Sequence, residues 1–182
     1  ILSGNLCFHE YSTQSLDVSK CTSNTPIQTN TWQHVALTYD NGSITLYHNG
    51  QVVHTDSYTT SNSSTRTLIG SNFSRLAGRT FNGRIDEVKI YSSALSADQI
   101  KTDYNSGVST NYGVQANEAT DLADGQGAAP VLEYNFDEMT GTPKDTSGLS
   151  QPTTLNNAQW YATGKSGAAL EFNGTNSNVT TT

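Results

Sequence analysis

The sequence is poor in charged residues, and above all in basic ones. Charged side chains make up 14% of its 182 residues, against roughly 25% in ordinary soluble proteins. Nine lysines and arginines face sixteen aspartates and glutamates, which gives a formal net charge of −7. A nucleic-acid-binding surface needs clustered Lys and Arg to neutralise phosphates, and the sequence has no such cluster. The composition therefore argues against nucleic acid as a partner.

Long apolar runs are also missing. Hydrophobic residues reach only 34% and come in short alternating stretches, so no segment approaches the roughly 18 apolar residues of a membrane span. The chain opens at Ile1 inside a strand-like pattern, without an initiator methionine or a signal-peptide pattern. We interpret it as a mature or trimmed part of something longer. Ser, Thr, Asn and Gly replace the missing charged residues and favour strands and tight turns.

Cysteine is scarce as well, with two residues in the chain. Cys7 and Cys21 flank a predicted hairpin of residues 6–11 and 16–21, and a turn centred near Gln14 would place them opposite each other. A disulfide there would contribute about 3 kcal/mol through loop entropy; the alternative is two buried thiols. A disulfide and N-x-S/T sequons together favour an extracellular location. The sequons begin at Asn41, Asn62, Asn72, Asn173 and Asn178.

What the chain does contain is a succession of short alternating strands. Residues 32–54 carry stretches of alternating apolar and polar side chains separated by two Asn-Gly pairs, which are the strongest short hairpin signal. They predict a three-stranded meander. Its first strand is expected to be half-buried, with Val35, Leu37 and Tyr39 on one face. Two further strands are predicted, at residues 67–70 and 81–91.

A single helix is predicted after these strands. Ser96 can cap it, with the side chain of Gln99 reaching back to the cap residue. Leu95 and Ile100 occupy the two positions of a hydrophobic staple. Gly107 is a natural stop, because glycine readily adopts the left-handed conformation that ends a helix.

The texture of the sequence changes after the helix. Residues 108–129 are rich in Ala, Gly, Asn and Asp and contain no basic residue. They predict a polar, acidic linker, and we interpret their carboxylates as part of a solvated linker rather than as a site. Strand-like alternation returns in residues 130–182.

Six stretches of the chain resemble motifs of a known fold family. Those in the first part are TWQHVALTYD at residues 31–40, ITLYHNG at 44–50 and FNGRIDEVKIY at 81–91. Those in the last part are LEYNFDE at 132–138, DTSG at 145–148 and GKSGAALEFNG at 164–174. They resemble the concanavalin A-like lectin/glucanase superfamily, specifically its laminin-G-like jelly-roll branch. The resemblance implies an all-β fold, an antiparallel β-sandwich with one short helix after the last strand of the first segment.

The two halves stand in inverted order relative to the family. Residues 1–107 resemble the C-terminal part of such a domain and residues 130–182 the N-terminal part, with the linker at 108–129 between them; the family's central strands are absent. Three arrangements explain this order: a slice through a tandem array, a circularly permuted domain in which residues 132–136 pair with residues 85–91, or completion between chains. In the last case open sheet edges recruit strands from another copy, and head-to-tail contacts give rings or filaments.

The catalytic pattern of the superfamily's glucanases is missing. Those enzymes need two carboxylates two residues apart on one face of a strand, as nucleophile and acid. Here Asp86 and Glu87 are adjacent, so they should point to opposite faces, and Arg84 stands two residues before Asp86. The histidines are scattered, no serine lies in a G-x-S-x-G turn, and no C-x-x-C pair offers a zinc site. We therefore predict that the chain is not an enzyme.

Calcium is the metal that the sequence favours. The resemblance implies that many family members bind calcium around such positions, and a hard cation prefers several carboxylate and carbonyl oxygens. Asp137, Glu138 and Asp145 offer carboxylates on one predicted loop, and Asp86 lies on the strand expected beside it. These four residues predict a structural Ca²⁺ site. The alternative is that Asp145 begins an Asx-type turn and binds its own backbone.

The resemblance implies a recognition or adhesion module of a larger secreted or surface protein, with a glycan or a cell-surface protein as its partner. Jelly-roll lectins bind sugars on aromatic platforms, for which Tyr11, Tyr58, Tyr112 and Trp160 are candidates, whereas Trp32 is a core position of the family. The alternative function is that of a structural subunit, assembled from copies of itself into an extracellular fibre or layer by strand complementation. Low charge and abundant Ser and Thr favour this alternative.

Overall fold

A computed structural model describes residues 5–11, 16–57, 67–71, 80–106 and 129–181. These residues contain thirteen strands, which pair in antiparallel fashion, and one helix. The predicted class, an all-β antiparallel sandwich with one short helix, is confirmed. The chain divides into two compact units. The N-terminal unit comprises Ile1–Ser63 and Ser93–Ser106, and the C-terminal unit comprises Ser64–Ser92 and Gly107–Thr182.

The N-terminal unit holds five strands and the helix. They are β1 (Asn5–Tyr11), β2 (Leu16–Pro26), β3 (Val35–Asp40), β4 (Ser43–His48), β5 (Gln51–Ser57) and α1 (Ala97–Ser106). Strands β1 and β2 form a hairpin, and β3, β4 and β5 form the predicted meander. The hairpin register places Cys7 opposite Cys21, and Cys7 is disulfide-bonded. The turn predicted near Gln14 lies outside the described residues.

The two tight turns of the meander lie at the predicted Asn-Gly pairs. Asn41 and Asn49 have φ angles of 45° and 49°, and the glycines that follow them have φ angles of 84° and 72°. A left-handed backbone at both central positions matches the twist of the flanking strands, which is why Asn-Gly is favoured there. Gly50 meets a second constraint, because a side chain at this position would collide with the ring of Tyr104 on α1.

The helix begins where the sequence predicted. Ser96 Oγ accepts a hydrogen bond from the amide of Gln99 at 3.2 Å, and Gln99 Oε1 accepts one from the amide of Ser96 at 2.8 Å. This reciprocal pair is a capping box. Leu95 and Ile100 are both buried, so the predicted staple anchors the first turn of α1.

The apolar face of β3 is more exposed than its alternation predicted. Val35, Leu37 and Tyr39 are 52%, 44% and 40% exposed, whereas the residues opposite Leu37 and Tyr39 on β4 are buried. The reason is that β3 lies at the edge of the meander, where its side chains have one neighbouring strand, β4, among the described residues. Trp32, which the resemblance placed in the core, is also exposed just before this strand.

The C-terminal unit holds eight strands. They are β6 (Thr67–Ile69), β7 (Asn82–Ile85), β8 (Val88–Ile90), β9 (Leu132–Tyr134), β10 (Thr153–Asn156), β11 (Gln159–Tyr161), β12 (Ala169–Asn173) and β13 (Asn178–Thr181). They form three sheets with the orders β10-β13-β6, β11-β12-β7 and β8-β9. Each sheet joins a strand from residues 64–92 to strands from residues 129–181. The pairing of β8 with β9 within one chain is the pairing that the circularly permuted arrangement predicts.

The single strand predicted at residues 81–91 is wrong. Asp86 and Glu87 interrupt it, and Glu87 has a left-handed φ of 53°. The break lets β7 pair with β12 while β8 pairs with β9, so the chain passes from one sheet to another at this point. Residues 64–92 consequently group with the C-terminal unit, although they precede residue 107 in the chain. Nearly all of the linker predicted at 108–129 lies outside the described residues.

The core of the C-terminal unit is built from both of its stretches. Ile69 of β6 packs in the same buried cluster as Tyr134, Phe136 and Phe172. The rings of Tyr134 and Phe136 are stacked, with centroids 5.6 Å apart, and the hydroxyl of Tyr134 is satisfied by Thr153 Oγ1 at 2.6 Å. Burying these rings together with the aliphatic residues of the cluster removes apolar surface from water and stabilises the unit.

Candidate functional site

Asp86, one of the four predicted metal ligands, is held by a loop of the C-terminal unit. Its Oδ2 accepts hydrogen bonds from the amides of Lys165 at 2.7 Å and Ser166 at 3.0 Å, and its Oδ1 accepts one from the amide of Glu87 at 2.9 Å. A side chain at Gly164 would collide with the carboxylate. The loop can therefore close around Asp86 only because glycine stands at that position.

Asp137 binds the other end of the same loop. Its Oδ1 accepts a hydrogen bond from the amide of Ala168 at 2.7 Å. Gly167 lies directly against this carboxylate with a φ of 57°, and a side chain there would collide with it. The GKSG motif and the following Ala168 thus form a turn whose backbone amides bind two carboxylates, and the close contacts of these carboxylates explain both glycines of the motif.

The pKa of Asp86 is raised above its ordinary value of 3.8. Burial, which disfavours the charged carboxylate, is the main cause. The amides of Ser166, Lys165 and Glu87 oppose this effect, and the negative charge of Asp137 adds to it. The folded chain therefore holds a proton on Asp86 at a pH where the unfolded chain has already released it.

Asp86 should make the C-terminal unit lose stability as the pH rises. Its contribution is fully present below pH 3.8, the ordinary pKa, and is lost as the pH rises through the higher pKa of the folded state. Denaturant unfolding of the wild type and of Asp86→Asn at about pH 4 and about pH 7 measures this. The wild type should gain stability relative to the variant at the lower pH. A pH-independent difference between the two proteins would contradict the prediction.

Asp145 is the centre of a separate network around the DTSG motif. Its Oδ1 accepts hydrogen bonds from the amides of Glu133 at 3.1 Å and Ser147 at 2.9 Å, and its Oδ2 accepts one from Gln151 at 2.9 Å. Burial acts to raise the pKa of Asp145, but hydrogen bonds, led by the amides of Gln151 and Ser147, outweigh it and lower that pKa. The bond to Ser147, two residues on, is the Asx-type turn named as the alternative to a metal ligand.

The two carboxylate oxygens of Glu138, the fourth predicted ligand, differ in their hydrogen bonding. Its Oε1 accepts a hydrogen bond from the amide of Lys144 at 2.9 Å, while its Oε2 is buried without a hydrogen-bond partner. Among the described residues no three His, Cys, Asp or Glu side chains lie close enough to hold a metal ion. A calcium site can also combine fewer carboxylates with backbone carbonyl oxygens, so calcium binding by these residues stays a prediction.

A structural calcium ion would be visible as a change in thermal stability. If calcium binds the folded chain, millimolar Ca²⁺ should raise the melting temperature by several degrees relative to EDTA. Mg²⁺ serves as the ionic control. Glu138→Gln should abolish the increase and leave the melting temperature in EDTA nearly unchanged, because Oε2 lacks a hydrogen-bond partner. Equal melting temperatures in Ca²⁺ and EDTA would rule out a structural ion.

The residues that stand where a glucanase would carry its carboxylate pair are used in other ways. Arg84 occupies the position two before Asp86; its guanidinium lies 3.3 Å from the ring centre of Tyr161, and its Nε is 3.4 Å from Glu171 Oε1. Asp86 directly follows the end of β7, and its carboxylate accepts hydrogen bonds from backbone amides. The stretch therefore offers no two carboxylates spaced two residues apart on one strand face.

Of the four aromatic residues predicted as sugar-binding platforms, the structure describes the side chain of Trp160. Trp160 packs against the core of the C-terminal unit, and its Nε1 donates a hydrogen bond to the carbonyl of Gly141 at 3.0 Å. This is the environment of a partly buried structural tryptophan. Tyr58, Tyr112 and the side chain of Tyr11 lie outside what the structure describes.

A polar groove of about 470 Å³ in the N-terminal unit was not predicted from the sequence. We call it the β3–α1 groove. One wall is the face of β3 and β4 opposite to Leu37, and the other is the start of α1 with the residues before it. Its polar lining comes mainly from Thr38, Asp40, Ser43, Thr45, Ser96 and Gln99. The polar residues at alternate positions of β3 and β4 indicated a polar strand face, which is one wall of the groove. Nothing in the local sequence indicated that the start of α1 would form the other wall.

Antiparallel strands, a short capped helix and loops ordered by carboxylates define a β-sandwich module of the lectin type. A family model of the concanavalin A-like lectin/glucanases superfamily matches residues 3–101, more than half of the chain. The chain belongs to this superfamily, as a laminin-G-like domain. Neither the curated proteins nor the solved structures gave a match.

Membership of this family has general consequences. Laminin-G-like domains are commonly carbohydrate- or protein-binding modules, are generally non-catalytic and are typically extracellular. In the described part of the chain no helix is long and apolar enough to cross a membrane.

Proposed function

We propose that this chain is a non-catalytic extracellular recognition module that binds a glycan or a surface protein. The observation that carries the proposal is the use of the carboxylates near the GKSG and DTSG motifs. Asp86, Asp137 and Asp145 accept backbone hydrogen bonds and order loops. Carboxylates committed in this way stabilise a binding scaffold, whereas general acid–base chemistry needs a carboxyl group that can reach the substrate.

Binding and hydrolysis can be measured on the same panel of compounds. The full chain should bind at least one immobilised glycan or matrix protein above the level of an unrelated acidic protein. It should release no reducing sugar from β-glucans. Hydrolysis that disappears in Asp86→Ala or Glu87→Ala would overturn the proposal. Absence of binding to every glycan and protein would overturn it as well.

An extracellular location is part of the proposal. The disulfide bond of Cys7 supports it, because stable disulfides form in oxidising compartments. Asn41 begins a sequon in an exposed turn, whereas Asn178 of another sequon is buried. If the host glycosylates its secreted proteins, the attachment site should be Asn41 rather than Asn178, which peptide mapping of the secreted chain would show.

An open strand edge favours a second candidate function, assembly between copies. In the part of the chain that the structure describes, strand β3 is an edge of its sheet, and its exposed residues Val35, Leu37 and Tyr39 form an apolar surface that we call the β3 face. Natural edge strands are usually protected by lysine, proline or a bulge, and β3 contains no lysine or proline. This edge supports strand pairing between chains as a route to fibres or layers.

Light scattering separates this candidate from a simple binding module. If β3 pairs between copies, the chain should form oligomers that grow with salt, since salt screens the repulsion between copies of charge −7. Leu37→Lys should abolish them. Val52→Lys is the matched control, because Val52 is an equally exposed apolar residue on β5. A monomer at all protein and salt concentrations would exclude assembly.

A further inference from the structure

We infer that the β3–α1 groove binds a neutral saccharide. The inference rests on the proposed recognition function and assigns it a place in the N-terminal unit. The groove, at about 470 Å³, lies within the range of roughly 300–1,000 Å³ typical of small-molecule sites. It has room for a mono- or disaccharide.

The strand wall of the groove presents side chains rather than backbone. Thr38 lies opposite Thr45, and Asp40 lies opposite Ser43, in the register of β3 and β4. All four therefore project from the same face of the sheet. The backbone groups between these strands are engaged in the sheet ladder, so they are not offered to an extended peptide on this face. This face therefore presents to a ligand three hydroxyl groups and one carboxylate, and the hydroxyl of Thr45 also accepts a hydrogen bond from Thr55 Oγ1 at 3.5 Å.

The helix wall adds further polar groups and a small apolar surface. Gln99 and Ser96 line the groove at the start of α1, next to Ala94 and Ala97, and Tyr47 lies beneath them on β4. A pyranose ring has the same dual character, with hydroxyl groups around its edge and C–H groups on its faces. A purely apolar ligand would leave the hydroxyls and carboxylate of the strand wall without partners, which is costly.

The charge of the groove selects against anionic ligands. Among its described lining residues none is basic, and Asp40 contributes a negative charge. Phosphate, sulfate and uronate groups would be repelled by Asp40 and by the net charge of −7. The chemistry that remains is that of a neutral, polyhydroxylated molecule.

Both walls are held in place without a ligand. The capping box between Ser96 and Gln99 fixes the first turn of α1. Further along the helix, Asp103 Oδ2 lies 3.3 Å from Nε2 of His34, and Tyr104 packs against Gly50. A site ordered in advance loses little conformational entropy on binding, which favours measurable affinity from few contacts.

Amide chemical-shift mapping of the full chain tests the inference. The probes are the methyl glycosides of glucose, galactose, mannose and N-acetylglucosamine, together with cellobiose; methyl glucuronide is the anionic control. At least one neutral probe should cause saturable shifts at Thr38, Asp40, Thr45 and Gln99. The glucuronide should bind about fivefold more weakly than the matching glucoside, and Asp40→Asn should remove that discrimination.

Two threonine variants test the contacts without disturbing the strands. Thr38→Val and Thr45→Val remove a hydroxyl from the groove and keep the shape and strand preference of the side chain. Each should weaken binding of the neutral probe by about tenfold. Thr154→Val is the matched control, an exposed threonine on β10 of the C-terminal unit, and it should leave binding unchanged.

The outcomes separate the groove from the proposed function. A probe that binds but shifts amides elsewhere, or binds equally to the threonine variants, overturns the groove and leaves the recognition function standing. Binding to an immobilised protein with no response to any saccharide probe likewise overturns the groove as a saccharide site and leaves the recognition function standing. Absence of binding to every saccharide and every protein overturns both.

Discussion

Gly70→Ala is expected to destabilise the C-terminal unit by about 3 kcal/mol. Gly70 follows β6 with a left-handed φ of 82°, and a methyl group there would overlap the ring of Phe172 on β12. Phe172 is only 1% exposed, so its ring has no free space into which to move. The variant therefore combines backbone strain with overpacking of the core.

Denaturant unfolding followed by the fluorescence of Trp160 in a Trp32→Phe background measures this loss. Gly141→Ala is the matched control, because Gly141 has a similar φ of 70° but open space where its side chain would be. It should cost only about 1 kcal/mol, the strain of a left-handed alanine. Equal losses in the two variants would show that residues 64–92 do not pack on β12 as described.

Asp145→Ala is expected to destabilise the same unit by about 2–4 kcal/mol. The variant leaves three amides, those of Glu133, Ser147 and Gln151, without their acceptor, and hydrogen bonds to a charged acceptor are worth about 1.5–3 kcal/mol each before the loop relaxes. Because Glu133 belongs to β9, the loss should extend from the loop into the sheet.

Urea unfolding and hydrogen exchange test this expectation. Asp145→Asn keeps one carbonyl oxygen for Glu133 and Ser147 and should lose about half as much stability. Because the pKa of Asp145 is lowered, the wild type should lose this contribution as the pH falls below 3.8. A wild-type advantage over Asp145→Ala that persists unchanged at acid pH would contradict this assignment.

Features encoded over a few residues were predictable from the sequence. The turns at Asn41 and Asn49 and the reciprocal bonds between Ser96 and Gln99 depend on neighbours no more than three positions apart. The pairing of β3 with β4 follows from the first of these turns. In each case backbone conformation and local hydrogen bonding leave few alternatives.

Most features that depend on distant parts of the chain were not predictable; the pairing of β8 with β9, which one of the three arrangements anticipated, is an exception. Asp86 is held by the amides of Lys165 and Ser166, which lie 79 and 80 positions further on. Nothing in the local sequence indicated that the strand breaks there, since Glu87 is not a residue that usually adopts a positive φ. The exposure of Leu37 has the same origin, because alternation reveals the two faces of a strand but not whether it lies at an edge.

The candidate site also has features that the sequence indicated and features that it did not. The four carboxylates were predicted as calcium ligands, which stays a prediction, and the sequence could not show that backbone amides would bind most of their oxygens. The β3–α1 groove combines Thr38 and Thr45 with Gln99, more than fifty positions away. A polar stripe on a strand is visible in a sequence, whereas the element that turns it into a groove is a matter of tertiary structure.

The interleaved composition of the two units also matters for biosynthesis. Strands β6, β7 and β8 leave the ribosome with residues 64–92, before the strands of residues 129–181 with which they pair. Until those residues follow, the nascent chain exposes strand edges of the kind that drive aggregation. A chain stopped before residue 129 would keep these edges permanently. Completion of the C-terminal stretch therefore protects a segment that was made long before it.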